Sequence, residues 1–206
     1  MKDFIRKIFI FFRLFLFFPQ FFPFFLTTEK SLIVADINRW LELLGWTGKA
    51  DWVNLLTLIS KKQEFRNLYY YRLFKGNFAA RILMYVMKFF YKECPSLFLD
   101  TSSNIGQGLF IQHGFSTIIM ADLGDNCWIN QQVTIGYKDK YSRPKIGNNV
   151  HITAGAKVIG GITIGNNVTV GANAVVVKNV PENCVVVGVP AYIVKKDGVK
   201  VKEKLV

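Results

Sequence analysis

Aliphatic residues recur at every sixth position through the second half of the chain. They stand at Ile105, Ile111, Leu123, Ile129 and Ile135, with Thr117 in the one polar position, and then at Ile146, Ile152, Val158, Ile164, Val170 and Val176. A helix would repeat near 3.6 residues and a half-buried strand near 2. A period of six predicts short flat strands that meet at corners, so that the chain coils as a triangular prism of stacked, parallel-paired strands.

A second set of positions, two residues before most of these, carries small or branched residues. Its members are Ala121, Cys127, Val133, Val150, Ala156, Ile162, Val168 and Ala174. We expect both sets to point inward, because a triangular coil has a thin interior. Glycines often follow the aliphatic residue, and the pairs Asn148-Asn149 and Asn166-Asn167 recur at one phase. These residue types tolerate positive φ best, so we expect them at the corners.

The first half of the chain predicts helices. An apolar stripe indicates a helix over residues 31–44, with Ser31 as its cap, and three further helices are predicted over 52–59, 64–74 and 78–91. Pro95 ends this helical part. The predicted domains are an N-terminal segment 1–26, a helical domain 27–95, a β-helix domain 96–194 and a solvated basic tail 195–206.

The segment 1–26 is unusually aromatic. It contains eleven phenylalanines between Phe4 and Leu26, together with Lys2, Arg6, Lys7 and Arg13. From Leu14 to Leu26 there are only thirteen residues, broken by two prolines, against about twenty for a membrane span. An interfacial membrane contact suits this composition, and packing within the protein and a true span are the alternatives.

Composition and charge limit the chemical classes of binding partner and the cellular compartment that we expect. The net charge of +12 favours acidic partners such as anionic lipid or a polyphosphate cofactor, but no nucleic-acid module is recognisable. The three cysteines have no metal or disulfide spacing, which predicts a reducing, cytoplasmic compartment. The two histidines lie at unrelated phases of the repeat, so no metal site is expected.

The repeat resembles that of the hexapeptide-repeat acyltransferases, in the serine acetyltransferase-like branch. This resemblance implies a mostly β fold with an α-helical N-terminal part, the prism being a left-handed parallel β-helix. It also implies acetyl-CoA as co-substrate, a small acceptor with a hydroxyl group, and a homotrimer. The handedness comes from the resemblance alone, since the usual crossover rule would predict right-handed coils.

His113 is the candidate catalytic base. It follows the second glycine of Gly106-Gln107-Gly108 by five residues, as in the active-site strand of the resembled family. Imidazole titrates near pH 6.5, so it can take the proton of an attacking hydroxyl and pass it to the leaving thiolate. Asp100 is the nearest candidate for an acidic partner of His113, although it is shifted by two positions from the family's residue. His151 is expected to be an exposed strand residue.

The other site residues follow from the resemblance. Residues 137–145 interrupt the repeat as a loop, which in the family projects over a site between subunits. Ser142 and Arg143 of this loop, with Gln112 beside His113, are the predicted acceptor-binding residues. Arg143 replaces a family histidine and Gln112 a family carboxylate, and both changes affect the groups that would hold the amine and carboxylate of serine. The predicted coenzyme A contacts are Lys145, Ala154, Gly155, Gly171 and Ala172.

Three functions remain open. The first is serine O-acetylation. The second is the same transfer to a sugar of a capsule or lipopolysaccharide precursor, which the aromatic N-terminus and the altered acceptor residues would suit. The third is a non-catalytic scaffold or membrane-surface module.

Overall fold

The computed structural model describes residues 2–205, and its chain falls into two compact units, Met1–Cys94 and Pro95–Val206. The expectations that involve Met1, Val206 or the side chains of Lys2, Asp3, Phe4, Arg6 and Lys7 lie outside the described residues.

The first unit is helical. Its elements are α1 Lys2–Phe17, a 3-10 turn Phe18–Gln20, α2 Phe21–Leu26, α3 Lys30–Leu43, α4 Trp52–Lys61, α5 Gln63–Lys75 and α6 Phe78–Phe90. The helices α4 and α6 are capped by Asp51 and Asn77, whose side chains accept hydrogen bonds from backbone N–H groups three residues ahead. The expected cap at Ser31 is wrong, because α3 begins one residue earlier and Glu29 precedes it without a side-chain cap.

Helix α5 is the centre of this unit. All its residues from Phe65 to Leu73 are buried, so it shows no polar face. Arg72 is buried with them and donates from Nε and Nη2 to the Asp36 carboxylate of α3, at 2.8 and 3.2 Å. A buried charge needs such a partner, since its desolvation would otherwise cost several kcal/mol.

The aromatic segment packs on the helical unit through one of its faces. Tyr91 and Tyr69 donate their hydroxyls to the carbonyls of Leu16 and Gln20, at 2.6 and 2.7 Å. The residues 8–26 form a stretch of 19 residues that is long and apolar enough to cross a membrane. The apolar stretch thus begins well before Leu14, and the expectation that it is too short to span a membrane is wrong.

The second unit is the expected prism. Face A consists of β1 Leu97–Leu99, β3 Thr117–Ile119, β6 Thr134–Gly136, β9 Lys157–Ile159 and β12 Val175–Val176. Face B consists of β4 Asp122–Leu123, β7 Lys145–Ile146 and β10 Thr163–Ile164. Face C consists of β2 Phe110–Ile111, β5 Trp128–Ile129, β8 His151–Ile152, β11 Thr169–Val170 and β13 Cys184–Val187, continued by β14 Tyr192–Lys196 and β15 Val199–Lys204.

The repeat predicted the interior correctly. All twelve residues of the six-residue repeat are buried, and so are all eight members of the second set. Thr117 is accommodated because its hydroxyl donates to the Phe115 carbonyl at 3.2 Å. Cys127 is a core residue as expected, and burial raises the pKa of its thiol to about 11.

Asparagine and glycine occur at the corners for different physical reasons. Positive φ occurs at Asn149 and Asn167, as expected. On the edge between faces B and C, however, the glycines that directly follow a repeat residue are not in the left-handed region. A Cβ on Gly124 would lie 2.7 Å from the backbone of Gly147 in the next coil, and Gly106 meets Gly124 in the same way at 2.6 Å. Glycine is needed there because successive coils approach closely.

The C-terminal residues are not a solvated tail. The strands β14 and β15 form an antiparallel hairpin that continues face C beyond β13. Asp197 and Gly198 make the turn with φ of 48° and 83°, the backbone of a type I′ hairpin. The alternation of valine and lysine from Val199 to Lys202 is the strand signal that the charge had obscured.

Candidate active site

His113 lies on the edge where face C turns into face A, between β2 and β3. Its side chain is exposed, and its φ is 55°. Five of the corners hold asparagine in this left-handed conformation, which asparagine tolerates better than most residues. A histidine held in this conformation and exposed is consistent with a functional role rather than with packing.

Four of the five predicted cofactor residues, Ala154, Gly155, Gly171 and Ala172, continue this edge, here called the C/A edge. Backbone hydrogen bonds join one corner to the next, from Gln132 N to Phe115 O at 3.1 Å, and from Gly155 N to Gln131 O at 3.0 Å. The amide of Asn173 then donates to the carbonyl of Ala154 at 2.9 Å. Stacked strands are about 4.8 Å apart, so the corner of Ala154 and Gly155 lies about 10 Å from that of His113.

Small residues keep parts of the C/A edge shallow. Gly155 has φ +75°, and a Cβ there would collide with the side-chain oxygen of Asn173. A Cβ on Gly171 would lie 2.7 Å from a methyl group of Val187. The exposed Ala172 adds only a methyl group. An extended ligand could therefore lie along this edge close to the backbone.

Arg143 and Asp100 lie instead on the edge between faces A and B, the A/B edge. The Nη1 atom of Arg143 is 3.7 Å from the Asp122 carboxylate and 4.0 Å from that of Asp100. It also donates to the hydroxyls of Ser102 and Ser103, at 3.3 and 3.4 Å. Within one chain, the structure thus brings Asp100 to Arg143 and places His113 on a different edge. Asp100 and His113 are separated because β1 places Asp100 at the far end of face A.

The interrupting loop runs from Tyr137 to Pro144, between β6 and β7. The hydroxyl of Ser142 donates to the Asp139 carboxylate at 2.7 Å, and this hydrogen bond is the main reason that the pKa of Asp139 is lowered. The side chain of Ser142 therefore organises the loop. Lys145 follows in β7 and lines a cavity of about 820 Å³ between face B and the C-terminal hairpin, away from the C/A edge.

Gln112, beside His113, is held by a ladder of side chains on the outside of face C. Its Oε1 accepts a hydrogen bond from Trp128 Nε1 at 3.2 Å, and the Trp128 ring stacks on His151 with centroids 4.6 Å apart. The Nε2 atom of His151 in turn contacts Oδ1 of Asn130 at 2.9 Å. The expectation that His151 is merely exposed is therefore wrong: it is half-buried, and burial lowers its pKa.

Replacing His151 with glutamine is expected to remove a pH dependence of stability. The lowered pKa keeps the folded imidazole neutral where the unfolded one, titrating near 6.5, binds a proton. The free energy of unfolding should therefore fall as the pH drops through 6.5, and this fall should be smaller in H151Q. Urea unfolding at about pH 7.5 and about pH 5.5 measures it. An unchanged difference between the two pH values would contradict the assignment.

Sequence reasoning missed two residues of this region. Trp128 is an outward strand residue that gave no signal of its own, although a large aromatic on a flat face near the candidate base could have been noted. Gln131 lies at the corner next to that of His113. Its Oε1 is buried, and it has no hydrogen-bond partner among residues 2–205. Gln131 occupies an ordinary corner position of the repeat, so the sequence gives no signal that sets it apart from the other corner residues.

Comparison with known proteins supports the repeat and the fold. The family model "Bacterial transferase hexapeptide (six repeats)" matches residues 143–178. Serine acetyltransferase of Synechococcus elongatus is 46% identical over 108 residues, covering 50% of this chain and 44% of that protein. The Staphylococcus aureus enzyme is 44% identical over 128 residues, covering 60% and 58%. The chain thus spans about half the length of the curated relatives it matches.

Solved structures match more of the chain. The serine acetyltransferase of Brucella abortus superposes with a TM-score of 0.66 at 26% identity, covering 82% of this chain and 70% of that one. The Neisseria gonorrhoeae enzyme in complex with serine gives 0.64 at 28%, covering 81% and 69%. The Brucella abortus enzyme in complex with coenzyme A gives 0.63 at 25%, covering 83% and 69%. This chain carries a hexapeptide repeat and has the left-handed β-helix fold, and it is similar to the serine acetyltransferases.

Proposed function

We propose that this protein is an acetyl-CoA-dependent O-acetyltransferase with His113 as its general base and serine as the first candidate acceptor. The observation that carries the proposal is the exposed His113, held at φ 55° on the C/A edge that also bears Gly155 and Ala172. The similar enzymes solved with coenzyme A and with serine support the choice of both substrates.

The reaction is a direct transfer. The acceptor hydroxyl attacks the thioester carbonyl carbon while an imidazole nitrogen of His113 takes its proton. The new C–O bond forms a tetrahedral oxyanion, which backbone N–H groups at the corners could stabilise. When the C–S bond breaks, the imidazolium returns the proton to the leaving thiolate. Coenzyme A and the acetyl ester leave, and no covalent enzyme intermediate is required.

Thiol release from acetyl-CoA tests this function directly. The purified full chain would be supplied with acetyl-CoA and a panel containing L-serine, small polyols and hexoses. Acceptor-dependent release of free thiol, with acetylated product seen by mass spectrometry, is the expected result. Acetyl-CoA binding without transfer to any acceptor would favour the scaffold function instead.

A sugar hydroxyl is the second candidate acceptor. It is favoured by Gln112, a neutral amide whose oxygen already accepts from Trp128 at 3.2 Å. A carboxylate in this position would pair with the ammonium group of serine, whereas an amide gives a weaker, uncharged contact. Transfer to a hexose in the panel, with slow transfer to serine, would identify a sugar as the acceptor.

A homotrimer would complete the site. His113 lies on the C/A edge, whereas Arg143 and Asp100 lie on the A/B edge of the same prism. Three prisms around an axis could bring the A/B edge of one copy against the C/A edge of the next. We therefore expect light scattering to give the mass of a trimer at micromolar concentration. A monomer that is fully active would contradict a shared site.

The aromatic segment is proposed to contact a membrane surface, on the cytoplasmic side. Among the side chains that the structure describes, its outer face exposes seven phenylalanine rings, namely Phe9, Phe11, Phe12, Phe15, Phe18, Phe22 and Phe25. Helix α6, which packs against α2, adds Phe78, Tyr85, Phe89 and Phe90. Hydrogen bonds to Leu16 and Gln20 hold the segment along the helical unit, which suits an interfacial position better than a span.

The double variant F11S/F15S is expected to bind anionic vesicles at least about tenfold more weakly, because two exposed rings are lost from the apolar face. Co-sedimentation with vesicles of mixed anionic and neutral lipid measures this. The matched control is Tyr141→Ser, which removes an aromatic ring that is 91% exposed in the other unit. Equal binding by wild type and F11S/F15S would contradict the membrane contact.

A further inference from the structure

The orientation of the Gln112 carboxamide is determined by its partner. An indole nitrogen carries one hydrogen and no available lone pair, so Trp128 Nε1 can only donate. The atom 3.2 Å from it is therefore the oxygen of Gln112, and the two positions of the amide are not equivalent. The Gln112 NH2 group, with its two donors, is the other end of this fixed side chain.

Trp128 is itself braced on both sides. Its ring meets Phe110 of the preceding coil edge to face, with centroids 5.5 Å apart and an interplanar angle of 85°. On the other side it stacks on His151 at 4.6 Å and 24°. These three residues are aligned in register in β2, β5 and β8. Turning the indole away from Gln112 would break both ring contacts.

The next coil repeats the arrangement. His151 reaches back to Asn130 at 2.9 Å, just as Trp128 reaches back to Gln112. Asn130 stands at the same position relative to β5 as Gln112 does relative to β2. The lowered pKa of His151 favours the neutral imidazole, so the stack on Trp128 carries no charge near neutral pH. The ladder of side chains on face C thus stabilises one orientation of the Gln112 side chain.

We propose that Trp128, braced by His151, is a positioning residue that turns the NH2 group of Gln112 towards the acceptor. The site therefore prefers an acceptor that places an oxygen against this NH2 group over one that places an ammonium group against it. This inference rests on the proposed acetyl transfer, and of the two candidate acceptor classes it favours the hydroxyl compound over serine. Gln112 precedes His113 in the chain, so it lies beside the point where the acceptor hydroxyl loses its proton. A cation such as Arg143, which would come from a neighbouring copy in the proposed trimer, suits an acceptor carboxylate, and this leaves the α-substituent for Gln112.

Hydrogen-bond chemistry decides the preference. The oxygen of an α-hydroxyl group can accept from the Gln112 NH2 group. An α-ammonium group has only donors, so it would face two N–H groups with no acceptor between them. The corresponding acceptor class is a polyol, a hydroxy acid or a sugar. L-Glycerate and L-serine form the matched probes, because they differ only in a hydroxyl or an ammonium group at the α-carbon.

The test compares both acceptors in wild type and in Trp128→Phe at saturating acetyl-CoA. Wild type is expected to show the lower KM for L-glycerate. W128F keeps an aromatic ring between Phe110 and His151 but loses the N–H donor, so the Gln112 amide can turn its oxygen outward. The ratio of kcat/KM for glycerate over serine should fall about three- to tenfold, the worth of one hydrogen bond, through KM and with kcat nearly constant.

Two further variants make the test decisive. Trp52→Phe makes the same change at an exposed position of the helical unit and should leave the ratio unchanged. Gln112→Met keeps the length of the side chain without its polar atoms and should abolish the preference with Trp128 intact. Thiol release with neither of these acceptors, nor with the polyols and hexoses of the panel, would contradict the proposed function. Transfer with a ratio that W128F or Q112M does not alter would overturn the positioning role alone.

Discussion

Replacing His113 with asparagine is expected to lower the rate of thiol release from acetyl-CoA by about 10² to 10⁴, the usual worth of a general base. The fold should remain at least as stable, because asparagine tolerates the left-handed conformation that His113 adopts at φ 55°. Alanine would be a poorer choice, since it would add backbone strain to the loss of the base. Initial rates and urea unfolding of the same preparations separate the two effects.

Asp197→Asn is the matched control. Asp197 also has a left-handed backbone, with φ 48°, but it lies in the turn of the C-terminal hairpin. This variant should keep normal turnover and stability. If H113N turned over acetyl-CoA at nearly the wild-type rate, the base would lie elsewhere. A loss of turnover together with a loss of folding would instead mean that His113 acts through structure.

Replacing Gly124 with alanine is expected to destabilise the β-helix by about 2 to 3 kcal/mol, as overpacking against a close-packed neighbour does. The added Cβ would lie 2.7 Å from the backbone of Gly147, and the side-chain oxygen of Asn148 is closer still. Backbone atoms cannot move aside as a flexible side chain can, so two coils would have to separate. Urea unfolding followed by circular dichroism measures the change.

Gly136→Ala provides the comparison, because Gly136 also follows an aliphatic residue of the repeat but on the A/B edge. There the added Cβ would meet only the Met120 side chain, at 3.9 Å, which is an ordinary contact. G136A should therefore stay within about 0.5 kcal/mol of wild type. Equal destabilisation by G124A and G136A would show that contact between coils is not what requires glycine at the B/C edge.

The repeat made the fold predictable because one physical requirement recurs in every coil. A thin interior accepts one aliphatic residue per face, so period and burial coincide at each position from Ile105 to Val176. The six-residue period also located the loop before β7. It could not separate the two uses of glycine, since φ and the distance between coils are both invisible in a list of residue types.

The candidate site was only partly predictable. The spacing around His113 located the edge that the small residues Gly155 and Ala172 share. The sequence did not reveal that Asp100 belongs with Arg143, because which edge a residue occupies depends on strand lengths of two or three residues. Trp128 also went unnoticed, since side chains that meet across coils are 16 to 23 positions apart, as in the hydrogen bond from Trp128 to Gln112 and the register of Trp128 with His151.

The C-terminal hairpin has a consequence for assembly into fibres. A stack of parallel coils ends in a strand whose free N–H and C=O groups could template another molecule. Here β14 covers β13 in the antiparallel sense, which breaks the parallel register of the stack. The outermost strand β15 then presents Lys200, Lys202 and Lys204, charges that disfavour pairing with a second copy. The C-terminal hairpin thus protects the end of the β-helix from end-to-end polymerisation.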